Sequence, residues 1–205
     1  MNAGRHPALV IGHDDEEAEH ENEKNVSGFW VFLMSDAVLF SVLFATYAVM
    51  MRGTGNGPRP SETIHLTYAF PETLVLLTST LTMGFASIAL HLDDRRSLVA
   101  WLGGTLALGC TFLGLEAAEF YGMAAKGQTP QVSGFLSGFF SLVGTHGLHV
   151  TVGVIWGLVM LIQGATADLS GPVRSRLMRF SLYWHFLDLI WVGIFSVVYL
   201  RGVLE

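Results

Sequence analysis

Three short segments place ionisable side chains in pairs along stretches too apolar to be anything but membrane. GTHGLHVT, from Gly144 to Thr151, sets His146 and His149 three residues apart, and no Lys, Arg, Asp or Glu occurs between Lys126 and Asp168. LEAAEFY carries Glu116 and Glu119, and YWHFLDLIW carries His185 and Asp188. Each pair has i,i+3 spacing, which puts both side chains on one face of a helix. Asp36 is the only charged residue between Lys24 and Arg52, and Glu72 stands at the start of a further apolar run. Ionisable groups in hydrocarbon are costly and ask for a reason. Paired polar faces on several helices suggest helices that recognise one another, or something held between them.

Each group admits a plain chemistry and a sharper one. Asp36 lies about 12 Å into its helix at 1.5 Å per residue, where a carboxyl is expected to be protonated or paired. It either hydrogen-bonds a neighbouring helix, handles protons or contacts a lipid or ligand. Glu116 and Glu119, near the end of their run, read as interfacial carboxylates that reach headgroups or loops. His146 and His149 read as core histidines bonded to a carboxylate or a backbone carbonyl; ligation of a metal or haem is the alternative. His149 and His185 are expected to make interhelical hydrogen bonds, as is Asp188. A di-iron bundle would want Glu-x-x-His on two helices. This chain has Glu-x-x-Glu, His-x-x-His and His-x-x-Asp instead. No Walker motif, nucleophile elbow, dinucleotide fingerprint or HExxH occurs.

The elements that position these residues follow from composition. Of the 205 residues, 51% are apolar and only 14% charged, against roughly 25% charged in a soluble domain. Five apolar segments are readable, about 28–51, 72–90, 98–121, 139–162 and 180–200. Each approaches the roughly 20 residues that cross the hydrocarbon core as a helix. The runs are long and lack period-two alternation, so the fold class is all-α: an integral membrane bundle of five transmembrane helices over residues 28–202. Small residues allow close approach: Gly134–Gly138 and Gly153–Gly157 have GxxxG spacing, and Gly103 and Gly104 are adjacent. The lone Cys110 is read as a small buried hydrophobe, and it leaves the redox compartment unreadable.

Residues 1–27 read as a disordered acidic tail, with seven of the 17 acids between Asp14 and Glu23 and with His6, His13 and His20 scattered through it. It shows no basic segment followed by an apolar one, so a cleavable signal peptide is not expected. Loops are expected at 52–71, 91–97, 122–132 and 164–179. Seven Lys and Arg fall on the side of the tail and the second–third and fourth–fifth loops, four on the other. The positive-inside rule then places the N-terminus in the cytoplasm and the C-terminus outside. Trp30, Trp101 and Trp184 are expected at the inner boundary, and Tyr47, Tyr68, Tyr121 and Tyr199 at the outer one.

Four ordered blocks add a resemblance. GFWVFLMSDAVLFSVLFATYAV at Gly28–Val49, GLEAAEFY at Gly114–Tyr121, GFLSGFFSLVGTHGLHVT at Gly134–Thr151 and SLYWHFLDLIW at Ser181–Trp191 resemble subunit III of the haem–copper respiratory oxidases. HGLHV is the element shared across that family. Five helices, and Asp36 where the cytochrome c branch usually has Glu, resemble the quinol-oxidising, bo-type branch. The resemblance covers about Gly28 to Gly202. It implies a non-catalytic subunit of a proton-pumping terminal ubiquinol oxidase of the aerobic respiratory chain, in a bacterial inner membrane. It implies no catalytic, cofactor-binding or metal residues in this chain. Haems and copper are expected in subunit I, which subunit III stabilises and supports in sustained turnover and proton uptake. Subunits II and IV and membrane lipids, including bound phospholipid, are the other expected partners; no nucleic acid is. The intramembrane candidates for protons or packing are Asp36, Glu72, Glu116, Glu119, His146, His149, His185 and Asp188. Two other classes remain open from the residues alone: a free-standing membrane metalloenzyme using the Glu and His pairs, and a small proton-coupled transporter centred on Asp36.

Overall fold

A computed structural model describes residues 8–51, 53, 66–166, 169 and 171–200, with side chains from Ser27 onward except at 66 and 68. His6, the side chains of the acidic run with His13 and His20, most of the 52–65 connector, the Tyr68 side chain, Asp168 and the last five residues lie outside the described set. Among the described residues every regular element is helical, in the order α1 (Ala8–Met50), α2 (Leu66–His91), α3 (Arg95–Ala125), α4 (Gly134–Thr166) and α5 (Gly171–Ile194), which ends in π-helical turns at Phe195–Leu200. Helical backbone thus includes residues 8–27, which the sequence reading assigns to a tail. Five segments are long and apolar enough to cross a membrane: Ser27–Met50, Ala69–His91, Arg95–Ala125, Gly134–Thr166 and Gly171–Leu200. They begin earlier or end later than the apolar runs because caps, not hydropathy, end the helices. An unpaired backbone group cannot be left in hydrocarbon, so the ladder continues until a cap or water can take over.

Those caps are local. Asp94 accepts from the backbone N–H of Arg96 and Ser97, each at 3.2 Å, and from the Ser97 hydroxyl at 2.6 Å, at the start of α3. These donors hold its carboxyl below the usual carboxylate range. Asp93, just before, adopts φ 55°, a left-handed conformation that Asp tolerates and that closes the tight α2–α3 turn. Arg174 at the start of α5 pairs with Asp93. Gly127, at φ 76°, ends α3 with the Gln128 N–H returning to Met123 O at 3.0 Å, the bond that satisfies a terminal carbonyl. Ser133 accepts from the Leu136 N–H at 3.2 Å and starts α4.

The chain forms two units, 1–37 and 38–205. In the first, Phe29 and Phe32 stack with ring centroids 6.0 Å apart, and the Ser35 hydroxyl donates to Val31 O. Asp36 lies at its end. In the second, α2 packs on α3, α3 on α4, α4 on α5 and α5 back on α2, which closes a four-helix ring. Its core is aromatic: Phe112, Phe135, Phe139, Phe180, Trp184, Trp191 and Tyr199 are fully or almost fully buried.

Helix approach in lipid depends on small residues and polar bonds, since lipid tails offer no hydrophobic drive. The indole of Trp184 shows both. Its ring lies between Gly109 of α3 and Gly153 of α4, where an added Cβ would stand 2.7 and 3.2 Å from it. Its Nε1 donates to Ser79 Oγ on α2 at 3.1 Å. Gly157 receives Leu106 and Phe180 in the same way, and Gly138 abuts Tyr47 of α1. Gly103 and Gly104 face open space, so that pair makes no close helix contact.

Four expected positions need correction. Trp184, Tyr47 and Tyr199 are not boundary anchors but buried core residues, drawn inward by ring area and, for Trp184 and Tyr199, by polar tips that bond inside the bundle. Trp101 and Tyr121 are exposed near helix ends, as is Trp30 on the first unit. Cys110 is exposed, on the outer face of α3, where a small thiol needs no burial.

Candidate functional site

The polar residues divide into an acidic cluster at one end of the bundle, an aromatic-walled histidine deeper in and a seam between α2 and α5. Glu72 lies in the first turns of α2, Glu116 and Glu119 in the last turns of α3, and Tyr199 in the π-helical turns. Antiparallel neighbours bring these ends together. Glu72 is 1% exposed, Glu116 4% and Glu119 8%. The interfacial reading of Glu116 and Glu119 is therefore overturned: their i,i+3 face points into the bundle. Tyr199 OH donates to Glu119 Oε2 at 2.8 Å. Glu72 lies within electrostatic reach of both Glu119 and Glu116, and Tyr199 of all three. Both oxygens of Glu72 and Oε2 of Glu116 have no protein hydrogen-bond partner among the described residues.

The space for Glu116 is made by α4. A Cβ on Gly147 would stand 2.5 and 2.6 Å from the Glu116 carboxylate oxygens. The glycine of HGLH is thus the place where a carboxyl of α3 meets the backbone of α4. His146, beside it, is fully buried. Its ring meets Phe40, Phe112 and Trp191 at centroid distances of 6.3, 5.8 and 5.3 Å. Neither ring nitrogen has a hydrogen-bond partner among the described residues. His149 is half-buried against Phe40, and its Nδ1 lies 2.7 Å from Thr145 O of its own helix. Its backbone also takes an interhelical bond, with Tyr183 OH donating to His149 O at 3.0 Å.

Along the α2–α5 seam, bonds follow one another in antiparallel order. Trp191 Nε1 donates to Thr73 Oγ1 at 3.1 Å, Trp184 Nε1 to Ser79 Oγ at 3.1 Å, and the Ser87 and Ser181 hydroxyls meet at 3.0 Å. Thr82 and Thr105 join α2 to α3 at 2.8 Å. Asp188 is buried and faces Thr80 of α2. His185, expected to bond another helix, is instead exposed; its polar neighbour is Asp188, one turn on. The i,i+3 pair spreads across the helix far enough for one member to point in and the other out.

The expected residues therefore do not converge on one centre. Glu72, Glu116 and Glu119 come together; His146 sits among rings beside the glycine that seats Glu116; Asp188 and His185 lie on the seam; Asp36 belongs to the first unit. Among the described residues, no group of three His, Cys, Asp or Glu side chains could hold a metal ion. The buried imidazole faces rings and not a second ligand, so haem or copper does not fit this set. The acidic cluster can bind and exchange protons, and the seam fixes helix register. Sequence reading did not pick out Trp191, Ser79 or Thr73, and took Trp184 and Tyr199 for boundary residues. The available signal is that Trp and Tyr inside apolar helices need a partner for their N–H or O–H.

Comparison with known proteins gives a consistent picture. The family model for cytochrome c oxidase subunit III matches residues 17–203. The chain is similar to cytochrome bo(3) ubiquinol oxidase subunit 3 of Pseudomonas aeruginosa, 45% identical over 197 residues, covering 96% of this chain and 94% of that protein. It is 40% identical over 195 residues to quinol oxidase subunit 3 of Bacillus spizizenii, covering 94% and 96%. A Bacillus protein named cytochrome c oxidase subunit 3 is 41% identical over 183 residues, covering 89% and 88%.

Proposed function

The chain belongs to the cytochrome c oxidase subunit III family, and from that premise we propose that it is the non-catalytic subunit III of a terminal quinol oxidase of the aerobic respiratory chain. The observation that carries this is similarity along nearly the whole chain, at 45% identity, to a protein named as subunit 3 of a ubiquinol oxidase. The chain is a membrane protein and a subunit of an oxidase complex. In the finer reading, subunit I is its direct partner and holds the haems and copper, with subunits II and IV and membrane phospholipid as further neighbours. The membrane is the bacterial inner membrane, with the N-terminus and the segment of residues 1–27 on the cytoplasmic side and the C-terminus on the periplasmic side.

The physical contribution of this chain is a closed, internally bonded bundle. Its acids and aromatic N–H and O–H groups turn towards one another, with Tyr199 on Glu119 and the tryptophans on Ser79 and Thr73. Such a bundle can brace a larger partner without contributing electron carriers. Asp36 and the acidic cluster are the residues through which it would support proton supply or packing. Gentle purification through a tag on the full chain tests this. Recovery of a haem-bearing partner that oxidises quinol is expected. A solitary chain carrying iron would instead support the metalloenzyme reading, and a solitary chain without metal the transporter reading.

A further inference from the structure

Among the described residues of the spans, His185 is the one His, Asp, Glu, Lys or Arg left exposed away from the helix ends. It stands midway between Gly171 and Leu200. The headgroups that flank its apolar run, residues 180–200, are about 8 Å away on the Phe180 side and about 22 Å away on the Leu200 side at 1.5 Å per residue. An imidazole is too short to reach them as the long stems of Lys and Arg do. Met178, Leu189 and Val192 are exposed with it along α5. Behind it, Trp184 bonds Ser79 and Asp188 faces Thr80, so the residue sits on the outer edge of the α2–α5 seam. Asp188 is 8% exposed, and its Oδ1 has no protein partner among the described residues. The exposed His185 imidazole and the Asp188 carboxyl therefore lie together inside the apolar run of α5, ringed by apolar side chains.

We propose that the His185–Asp188 pair is the docking point for a transmembrane helix of another subunit of the oxidase, one that presents a neutral hydroxyl or amide side chain at this depth. Lipid tails carry no hydrogen-bonding group and leave an exposed imidazole unsatisfied. His185 and Asp188 stand one turn apart on α5, a basic and an acidic group side by side, so the complement needed is a neutral donor and acceptor and not a further charge. Leu189 and Val192 supply the apolar rim that close helix packing needs. A partner subunit is favoured over a second copy because the relatives are named as one numbered subunit of an oxidase. This inference rests on the accessory-subunit reading.

The test uses the full chain in its membrane complex. A photo-crosslinking amino acid replaces Leu189, one turn from His185, so both polar groups stay in place. The expected product is an adduct with a transmembrane helix of one other oxidase subunit. Adducts with lipid only, or with a second copy of this chain, would overturn the proposal. His185→Leu and His185→Gln give a second reading. If a helix docks here, Leu lowers retention of the chain on the complex in detergent about threefold for one interhelical bond lost, and Gln restores most of it. If the face meets lipid, Leu is retained as well as the parent or better, which contradicts docking. Lipid-only adducts in a chain that still recovers a haem-bearing partner sink the docking site and leave the accessory-subunit reading standing. Failure to recover any such partner sinks that reading, and docking with it.

Discussion

Two glycines six residues apart on α3 should respond to the same substitution with opposite signs. An added Cβ at Gly109 would stand 2.7 Å from Cη2 and 2.9 Å from Cζ2 of Trp184. The indole cannot retreat. Gly153 backs its other side, where a Cβ would meet Cζ3 at 3.2 Å, and the Nε1–Ser79 bond fixes its tilt. Gly109→Ala must therefore push α3 away from the ring, an overpacking cost of about 1–3 kcal/mol. Gly103 has nothing within 4 Å, so Gly103→Ala meets no obstacle and gains roughly 0.5–1 kcal/mol of helix propensity. Trp184→Phe shortens the ring and gives Gly109→Ala room, while losing the bond to Ser79. The two changes should be non-additive by roughly 1–2 kcal/mol in a double-mutant cycle. Reversible detergent unfolding of the purified chain, followed by tryptophan fluorescence and circular dichroism, reads each term. Equal effects at Gly103 and Gly109, or an additive cycle with Trp184, would refute the account of how α3, α4 and α5 approach.

Three further substitutions probe the polar interior and one cap. Tyr199→Phe removes the donor to Glu119 and leaves a buried oxygen unpaired, so it should destabilise the bundle by roughly 1–3 kcal/mol; unchanged unfolding would count against the bond. His146→Leu removes a buried imidazole with no protein hydrogen-bond partner and should be neutral or stabilising; a large loss of stability would reveal a polar partner for this ring. At the α2–α3 turn, the lowered folded pKa of Asp94 means that its contribution is present above the unfolded carboxylate range and is lost as pH falls through the folded value. Asp94→Ala should therefore speed amide exchange in the first turn of α3 at neutral pH, with the difference from the parent shrinking in acid; a pH-independent difference would exclude the carboxylate as the cap.

Hydropathy was enough to read five spans, because a crossing helix must carry about 20 apolar residues whatever it packs against. It did not read their ends, which rest on Asp94, Gly127 and Ser133 through local hydrogen bonds. The pairs Glu116–Glu119 and His146–His149 were legible as faces, since i,i+3 spacing is a property of one helix. Which way a face points is a property of the whole bundle. Glu116 is buried because Gly147 of another helix lacks a Cβ, and His185 is exposed because Trp184 and Asp188 take the inward positions beside it. Aromatic residues misled for the same reason: Trp184, Tyr47 and Tyr199 resemble interface anchors in a linear reading, but Trp184 and Tyr199 are core residues once α2–α5 close into a ring, and Tyr47 is covered by Gly138 and Phe135 of α4.

If this chain braces an oxidase and holds none of its electron carriers, its removal leaves every carrier behind. Dissociating the chain from the gently purified complex, and then recording haem and copper content and the initial quinol-oxidation rate of both fractions, tests it most directly. All haem and copper should stay with the remaining subunits, and the initial rate should largely persist, with faster inactivation over prolonged turnover. A Soret band or stoichiometric copper in the separated chain, or immediate loss of quinol oxidation from a remainder that keeps every haem, would contradict it.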